Sequence, residues 1–295
     1  MRGRRPESDR LEERLESLEA AVRRLGARLE DVQGLAARSY EAGLGWPARL
    51  AAVRAQPNYE AAWQEAEPLV TVRIATYNNA EVLCERTLAS LRAQTYERWE
   101  AIVVGDAVTD DTAGRVQALG DPRISFVNLP HRGPYPADDE RRWLVAGTYP
   151  ANHAMREARG AWIAPLDHDD EFEPDHIEVL LHEARQTHAE VVYGQLRVRH
   201  AQTGELLPNV VGEWPPAYSQ FGFQGAVYHA GLRVFEYDVN AYLAGEPGDW
   251  NLARRMWEAG VRFAFLDRIV TTYYWVPRDE QGREWLAWAR DQANR

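Results

Sequence analysis

Residues 161–170 read AWIAPLDHDD, and the fold turns on how that stretch is read. The apolar run Trp162 to Leu166 has the length of a strand and delivers Asp167, Asp169 and Asp170 to one spot at its end. In a strand, residues i and i+2 share a side and lie about 7 Å apart, so Asp167 and Asp169 are expected to face one ligand while Asp170 turns elsewhere. Three like charges repel each other. They call for a hard divalent cation, which prefers carboxylate oxygen, or for basic side chains from elsewhere in the chain. The plain alternative is a solvated acidic turn ahead of the helix that Glu173-Pro174 opens.

Upstream, the same pattern of apolar run and polar end occurs twice more. Leu69 to Ala75 is a β-branched run that ends in Thr76-Tyr77-Asn78-Asn79, after which Cys84, Leu88 and Leu91 share one helical face. Ala101 to Gly105 is followed by the acidic turn 106–112 and a helix to Leu119, and Ile124 to Val127 reads as a third strand. Strands alternating with amphipathic helices indicate a parallel α/β sheet, which gathers ligands at the carboxyl ends of its strands. His131 to Tyr149, with Arg141, Arg142 and Trp143, reads as a long irregular binding loop. A helix over 151–159, closed by Gly160, leads into the acidic stretch.

Downstream, a helix carries Ile177, Leu180, Leu181 and Ala184 on one face, and Val191 to Val198 is a further strand. The stretch from Glu213 to Tyr228 is dense in aromatic and amide side chains, including Trp214, Gln220 and Gln224. Such residues suit either a sugar site or a packed aromatic core, and composition does not choose between them. Gly245 to Trp250 introduces a helix with Leu252 and Met256, and Asp249 stands where an N-cap is expected. The chain closes with an apolar strand near Phe263 to Leu266 and a tail bearing Trp285 and Trp288.

At the other end, Leu11, Leu15, Leu18, Val22, Leu25, Leu29 and Val32 alternate spacings of four and three, the seam of a heptad repeat. The expected organisation is a coiled-coil helix over 1–38, a linker with short helical pieces over 39–67 and a globular domain over 68–295. A net charge of -11 and a pI near 5.3 argue against nucleic acid as a partner. One cysteine, Cys84, leaves no intrachain disulfide and too few thiolates for a structural zinc site. With no apolar run long enough to cross a bilayer and no signal-like apolar segment, a soluble cytoplasmic protein is expected.

Taken in order, these motifs resemble the inverting glycosyltransferases of the family-2 type with the GT-A fold, over about Pro68 to Phe265. Val70 to Asn78, Ile102 to Thr112, Asn152 to Asp170 and Gly245 to Arg254 carry the resemblance. It implies an α/β, Rossmann-like mixed sheet with helices on both faces. It also implies transfer of a sugar from a nucleoside-diphosphate sugar to a carbohydrate or other hydroxyl acceptor, with Mn²⁺ or Mg²⁺. By the resemblance, Asp249 is the general base, Asp169 the metal ligand, and Thr76, Tyr77, Asn78, Asp106, Arg142, Asn152 and Asp167 serve the donor. Trp214, Gln224 and Trp250 are the candidate acceptor contacts. The acidic turn reads Gly105-Asp106-Ala107-Val108 where the family often has Asp-Asp-Gly-Ser, which leaves the nucleobase open, and Arg141 or Arg142 stands in for a basic residue missing at Ala151. A nucleotidyltransferase and a non-catalytic scaffold assembled by the coiled coil are the competing readings. The first usually carries a Gly-rich loop with a basic residue after its first strand, where this chain has Thr76-Tyr77-Asn78-Asn79.

Overall fold

The structure is a computed structural model and describes residues 7–275, with the side chains of 7–13 and of Asn209 left aside. Trp285 and Trp288 lie outside the described residues. Helix α1 (Glu7–Gly43) is followed by α2 (Trp46–Arg54) and α3 (Ala61–Gln64). Strand β1 (Val70–Thr76) leads to α4 over residues 80–92, which contains one π turn at Leu83–Thr87. Then come β2 (Trp99–Gly105), α5 (Thr112–Ala118), β3 (Ile124–Asn128), α6 (Asp139–Val145), α7 (Thr148–Glu157) and β4 (Trp162–Pro165). The order continues with β5 (Glu171–Phe172), α8 (His176–Thr187), β6 (Val191–His200), β7 (Leu206–Val211), β8 (Ala226–His229), α9 (Gly248–Glu258) and β9 (Phe263–Trp275).

These strands form one sheet in the order β3-β2-β1-β4-β8-β6-β9-β5, with β7 paired to β6. The first four run parallel, and β8 enters antiparallel to both β4 and β6, so the sheet is mixed rather than wholly parallel. Both faces are covered, which is why the parallel strands read as continuous apolar runs. On one face Val70, Val72 and Ile74 of β1 pack with Leu83, Leu88 and Leu91 of α4 and Ile177, Leu180 and Leu181 of α8. On the other, Ala151 and Met155 of α7 and Leu252 and Met256 of α9 meet Ile163 and Tyr193.

Three elements differ from the sequence expectation. The irregular loop 131–149 contains α6, whose N-cap Asp138 accepts a hydrogen bond from the Arg141 backbone N–H at 2.9 Å. Strands β7 and β8 arise in stretches whose composition announces no strand. Pro247, not Asp249, is the N-cap of α9, and Asp249 lies inside its first turn.

The stretch 39–67 holds the end of α1 together with α2 and α3, and it packs closely on the sheet. Leu50, Val53, Tyr59 and Trp63 are all buried. Arg54 forms a two-point ion pair with the buried Glu190 (2.7 and 2.6 Å), which also accepts from Tyr59 Oη and from the Arg262 backbone N–H. The end of α1 is held by ions as well: Arg254 of α9 bonds Glu41 (2.7 Å) and Glu246 (2.8 Å), both of them buried, and Asn251 bonds the same two carboxylates. Farther toward its start, Leu15, Leu18, Val22, Leu25, Leu29 and Val32 are 58–66% exposed. No helix among the described residues is long and apolar enough to cross a membrane.

Leu50 is 1% exposed, so Leu50→Ala is expected to cost about 2–5 kcal/mol in urea unfolding, as core truncations do. A change below ~0.5 kcal/mol, the size of a surface substitution, would detach residues 46–54 from the folded unit.

Candidate functional site

The carboxyl ends of β1, β2 and β4 open onto a cleft of about 440 Å³, closed on its far side by α6, α7 and the start of α9. Thr76 ends β1 fully buried, and Tyr77 beyond it is 40% exposed in the cleft wall. Asn78 adopts a left-handed conformation (φ 45°) and clasps the β2 turn, its Oδ1 accepting from the Thr109 backbone N–H at 2.8 Å. Asp106 is buried and tethers the following loop: its Oδ1 accepts from the Gly133 N–H (2.8 Å), and Arg132 reaches its Oδ2 (3.5 Å). The Arg132 guanidinium lies 3.7 Å above the Tyr77 ring, so the two residues form one stacked wall.

Strand β4 stops at Pro165, and the acidic residues occupy a turn in which the Asp170 N–H returns to the Asp167 carbonyl at 3.2 Å. Strand spacing therefore does not apply to these residues, yet Asp167, His168 and Asp169 line the cleft and Asp170 does not. Asp170 is buried and accepts from the Tyr274 N–H (2.9 Å), and burial, with Asp169 and Asp167 nearby, pushes its carboxyl well above the usual range. The turn is braced from α4, where the π turn aims Arg86 at the Asp169 carbonyl (3.0 Å) and Thr87 at the Asp170 carbonyl (2.9 Å). Arg86 also stacks on Tyr274 of β9 at 3.6 Å.

Asp169 forms no ion pair with any described residue. Burial raises its carboxyl, and Asp167 adds to the rise while His168 and Arg86 oppose it. Among the described residues no group of three or more His, Cys, Asp and Glu is arranged to hold a metal. The donor set fits a different arrangement, in which a hard cation takes one or two carboxylates from the protein and the rest of its oxygens from a substrate's phosphates.

Asp249 lines this cleft and also a second one of about 460 Å³, walled by Tyr218, Gln220, Phe221 and Trp250. Trp143, Gln224, Pro247 and Tyr273 are likewise common to both. Burial, with Asp167 adding its charge, lifts the Asp249 carboxyl to about 6, while the Trp250 backbone N–H (2.7 Å) and Arg73 work against the rise.

Not every candidate from the sequence comes to these clefts. Arg142 pairs with Asp139 on the exposed side of α6. Asn152 is buried behind the wall, bonding the Tyr237 carbonyl and N–H, each at 2.8 Å, so it holds Tyr237 in place. Trp214 stands 52% exposed against Trp257, apart from both clefts. Conversely, Arg73, Arg132, His168 and Tyr237 line the first cleft without having been singled out. Only Arg73 carried a signal, a charged residue in the middle of an apolar strand.

Residues 71–137 and 149–235, more than half of the chain, match the family model described as Glycosyl transferase family 2. The chain is 33% identical over 132 residues to the succinoglycan biosynthesis protein ExoO of Rhizobium meliloti (strain 1021), which covers 44% of this chain and 34% of that protein. It is 31% identical over 184 residues to a chondroitin synthase of Escherichia coli, covering 62% of this chain and 24% of that protein. The chain thus spans about a third and about a quarter of these two relatives. Among solved structures, S. aureus TarS 1–349 in complex with UDP-GlcNAc superposes with a TM-score of 0.54 at 16% identity, over 72% of this chain and 60% of that one. The mannosyltransferase PcManGT from Pyrobaculum calidifontis, in complex with GDP-Man and Mn²⁺, gives 0.53 at 19%, over 87% and 71%. At those identities the likeness is one of fold.

Proposed function

The chain belongs to glycosyl transferase family 2, and from that premise we propose that it moves a sugar from a nucleoside-diphosphate sugar to a hydroxyl acceptor, inverting the sugar carbon, with Asp249 as general base. The observation that carries this reading is the position of Asp249 in the shared wall of two clefts. A base for this reaction must touch the acceptor hydroxyl on one side and the anomeric carbon's surroundings on the other. The donor occupies the cleft of Tyr77, Asp106 and Asp167, and the acceptor the one lined by Gln224 and Trp250. As the acceptor oxygen attacks, its proton passes to the Asp249 carboxylate, the bond from the anomeric carbon to the phosphate oxygen breaks, and the nucleoside diphosphate leaves with the electron pair. Asp169, with Asp167 beside it, would hold Mn²⁺ or Mg²⁺, which when bound neutralises charge on the departing diphosphate.

The Tyr77–Arg132 wall supports a nucleobase stacked at the mouth of the donor cleft. The names of the two neighbours, one with UDP-GlcNAc and one with GDP-Man and Mn²⁺, support a nucleotide-sugar donor and leave the base open. Donor hydrolysis and transfer assays with UDP-, GDP- and dTDP-sugars test the reading directly, and inactivity with all three would defeat it.

Asp249→Asn is expected to keep donor affinity and lose transfer by about 10²- to 10⁴-fold, the usual contribution of a general base. In the free enzyme kcat/KM should fall about tenfold per pH unit below pH about 6. The sign for stability follows from the same shift. The folded pKa lies above the unfolded one, so the fold favours the protonated carboxyl, and that stability is lost as pH rises through about 6. The variant should therefore melt no lower than the wild type at pH 8, with any gain disappearing near pH 4. Near-normal transfer by Asp249→Asn would leave the carboxylate without its role.

Asp169→Asn, or EDTA on the wild type, is expected to abolish transfer and weaken nucleoside-diphosphate binding in Mn²⁺ while leaving the fold intact. Full activity in EDTA would remove the metal from the scheme.

The exposed seam of α1 supports assembly with further copies as a coiled coil. Arg14 and Glu19 flank the seam where a parallel partner would bring the two charges together. Deleting residues 1–33 spares Arg38 and Glu41, and it should lower the mass seen by light scattering without changing nucleotide affinity. Equal masses for the two forms would reject the coiled coil.

A further inference from the structure

Strand alternation sends Val70, Val72 and Ile74 of β1 into the core on one face, so Arg73 points to the other, toward Tyr237 and the donor cleft. It is 5% exposed. A guanidinium carries five N–H donors in a fixed fork and cannot shed its charge, so burying one is costly unless acceptors meet that fork. Arg54 and Arg254 meet that condition: Arg54 has both oxygens of Glu190, and Arg254 is bridged to Glu41 and Glu246. Arg73 has no such partner. Its Nη1 reaches one oxygen of Asp167 at 3.4 Å, a long contact to a carboxylate that is itself 49% exposed. Its Nη2 donates to the Tyr237 hydroxyl at 2.5 Å, and its Nε–H is buried without any acceptor.

We infer that Arg73 is an oxyanion-binding group of the donor cleft, completed when an anionic oxygen of the donor enters beside Asp167 and Tyr237. The inference rests on the donor-cleft reading above and adds to it a residue and a ligand chemistry. Arg73 lies three residues before the end of β1, about 10 Å back from the strand tip that carries Tyr77. A base stacked at Tyr77 therefore leaves Arg73 to the diphosphate or to the sugar beyond it. Two donor groups present the required oxygens: the diphosphate itself, and the carboxylate of a uronic sugar.

The test is calorimetric titration of the wild-type chain, Arg73→Gln and Arg73→Lys with UDP, GDP, UDP-glucose and UDP-glucuronate in Mn²⁺, with melting curves as a check on folding. Loss of a charged hydrogen-bond set is expected to weaken binding about 10- to 100-fold. An equal loss for every ligand of the preferred base, the bare diphosphate included, identifies the diphosphate as the oxyanion. A loss confined to UDP-glucuronate identifies the sugar carboxylate. Arg73→Lys keeps the charge but not the fork, so it is expected to lose affinity in the same direction. It carries the test if the Gln variant does not fold.

Unchanged affinities in the variants would overturn the inference, and so would recovery of binding in Arg73→Gln/Asp167→Asn, which would make Arg73 only a counter-ion to Asp167. A wild-type chain that binds none of the four ligands would remove the donor-cleft reading together with this inference. Intact binding by the Arg73 variants alongside the expected loss of transfer in Asp249→Asn would remove this inference alone.

Discussion

The antiparallel entry of β8 beside β4 is the constraint on which the remaining architecture depends. From β3 to β4 across the sheet every strand pair is parallel, which brings each polar strand end to the same edge. If the sheet continued so, the edge would be an open shelf. Reversing at β8 sends the chain back across the floor, through Tyr237 and the loop that starts α9, so that a second wall rises opposite the first. Asp249 belongs to that second wall and Asp167 to the first, and they face one cleft because the sheet changes direction between them.

That arrangement concentrates negative charge where water is partly excluded. Burial, and after it the charge of Asp167, raises the proton affinity of Asp169, Asp170 and Asp249, against which the fold sets Arg73, Arg86 and His168. The Asp170 carboxyl is pushed well above the usual range in the core, and that of Asp249 is lifted to about 6.

The sequence makes the parallel half of the fold legible because strands buried on both faces are largely apolar, as in Ala101 to Gly105 and, but for Thr71 and Arg73, in Val70 to Ala75. It says much less about β7 and β8, whose short segments are fixed by pairing to β6 and not by local preference. Among the candidate residues, the places of Thr76, Tyr77, Asp106, Asp167 and Asp169 along the cleft are readable because they lie at strand ends, where such sheets gather ligands. Asn152 and Trp214 illustrate the opposite case. Their residue types suit a site, yet one is spent strapping Tyr237 and the other on Trp257. The Tyr77–Arg132 wall joins residues 55 positions apart and has no signature in either segment.

The π turn in α4 has a consequence for how this chain can vary. A π turn is an α-helix with one residue too many, and regular helices on both sides of it leave no structural obstacle to losing that residue. Deletion of a single residue within Leu83–Thr87 would restore unbroken i to i−4 hydrogen bonding and keep a good helix. The helices on either side, which the π turn keeps in step, would hold their faces, while the residues inside the turn would change the directions in which they point. Arg86 and Thr87 would then no longer address the carbonyls of Asp169 and Asp170 while Leu88 and Leu91 kept their places in the core. The helix thus tolerates in its length what the acidic turn does not. Insertions and deletions in this segment are expected to separate folding from activity more cleanly than substitutions do.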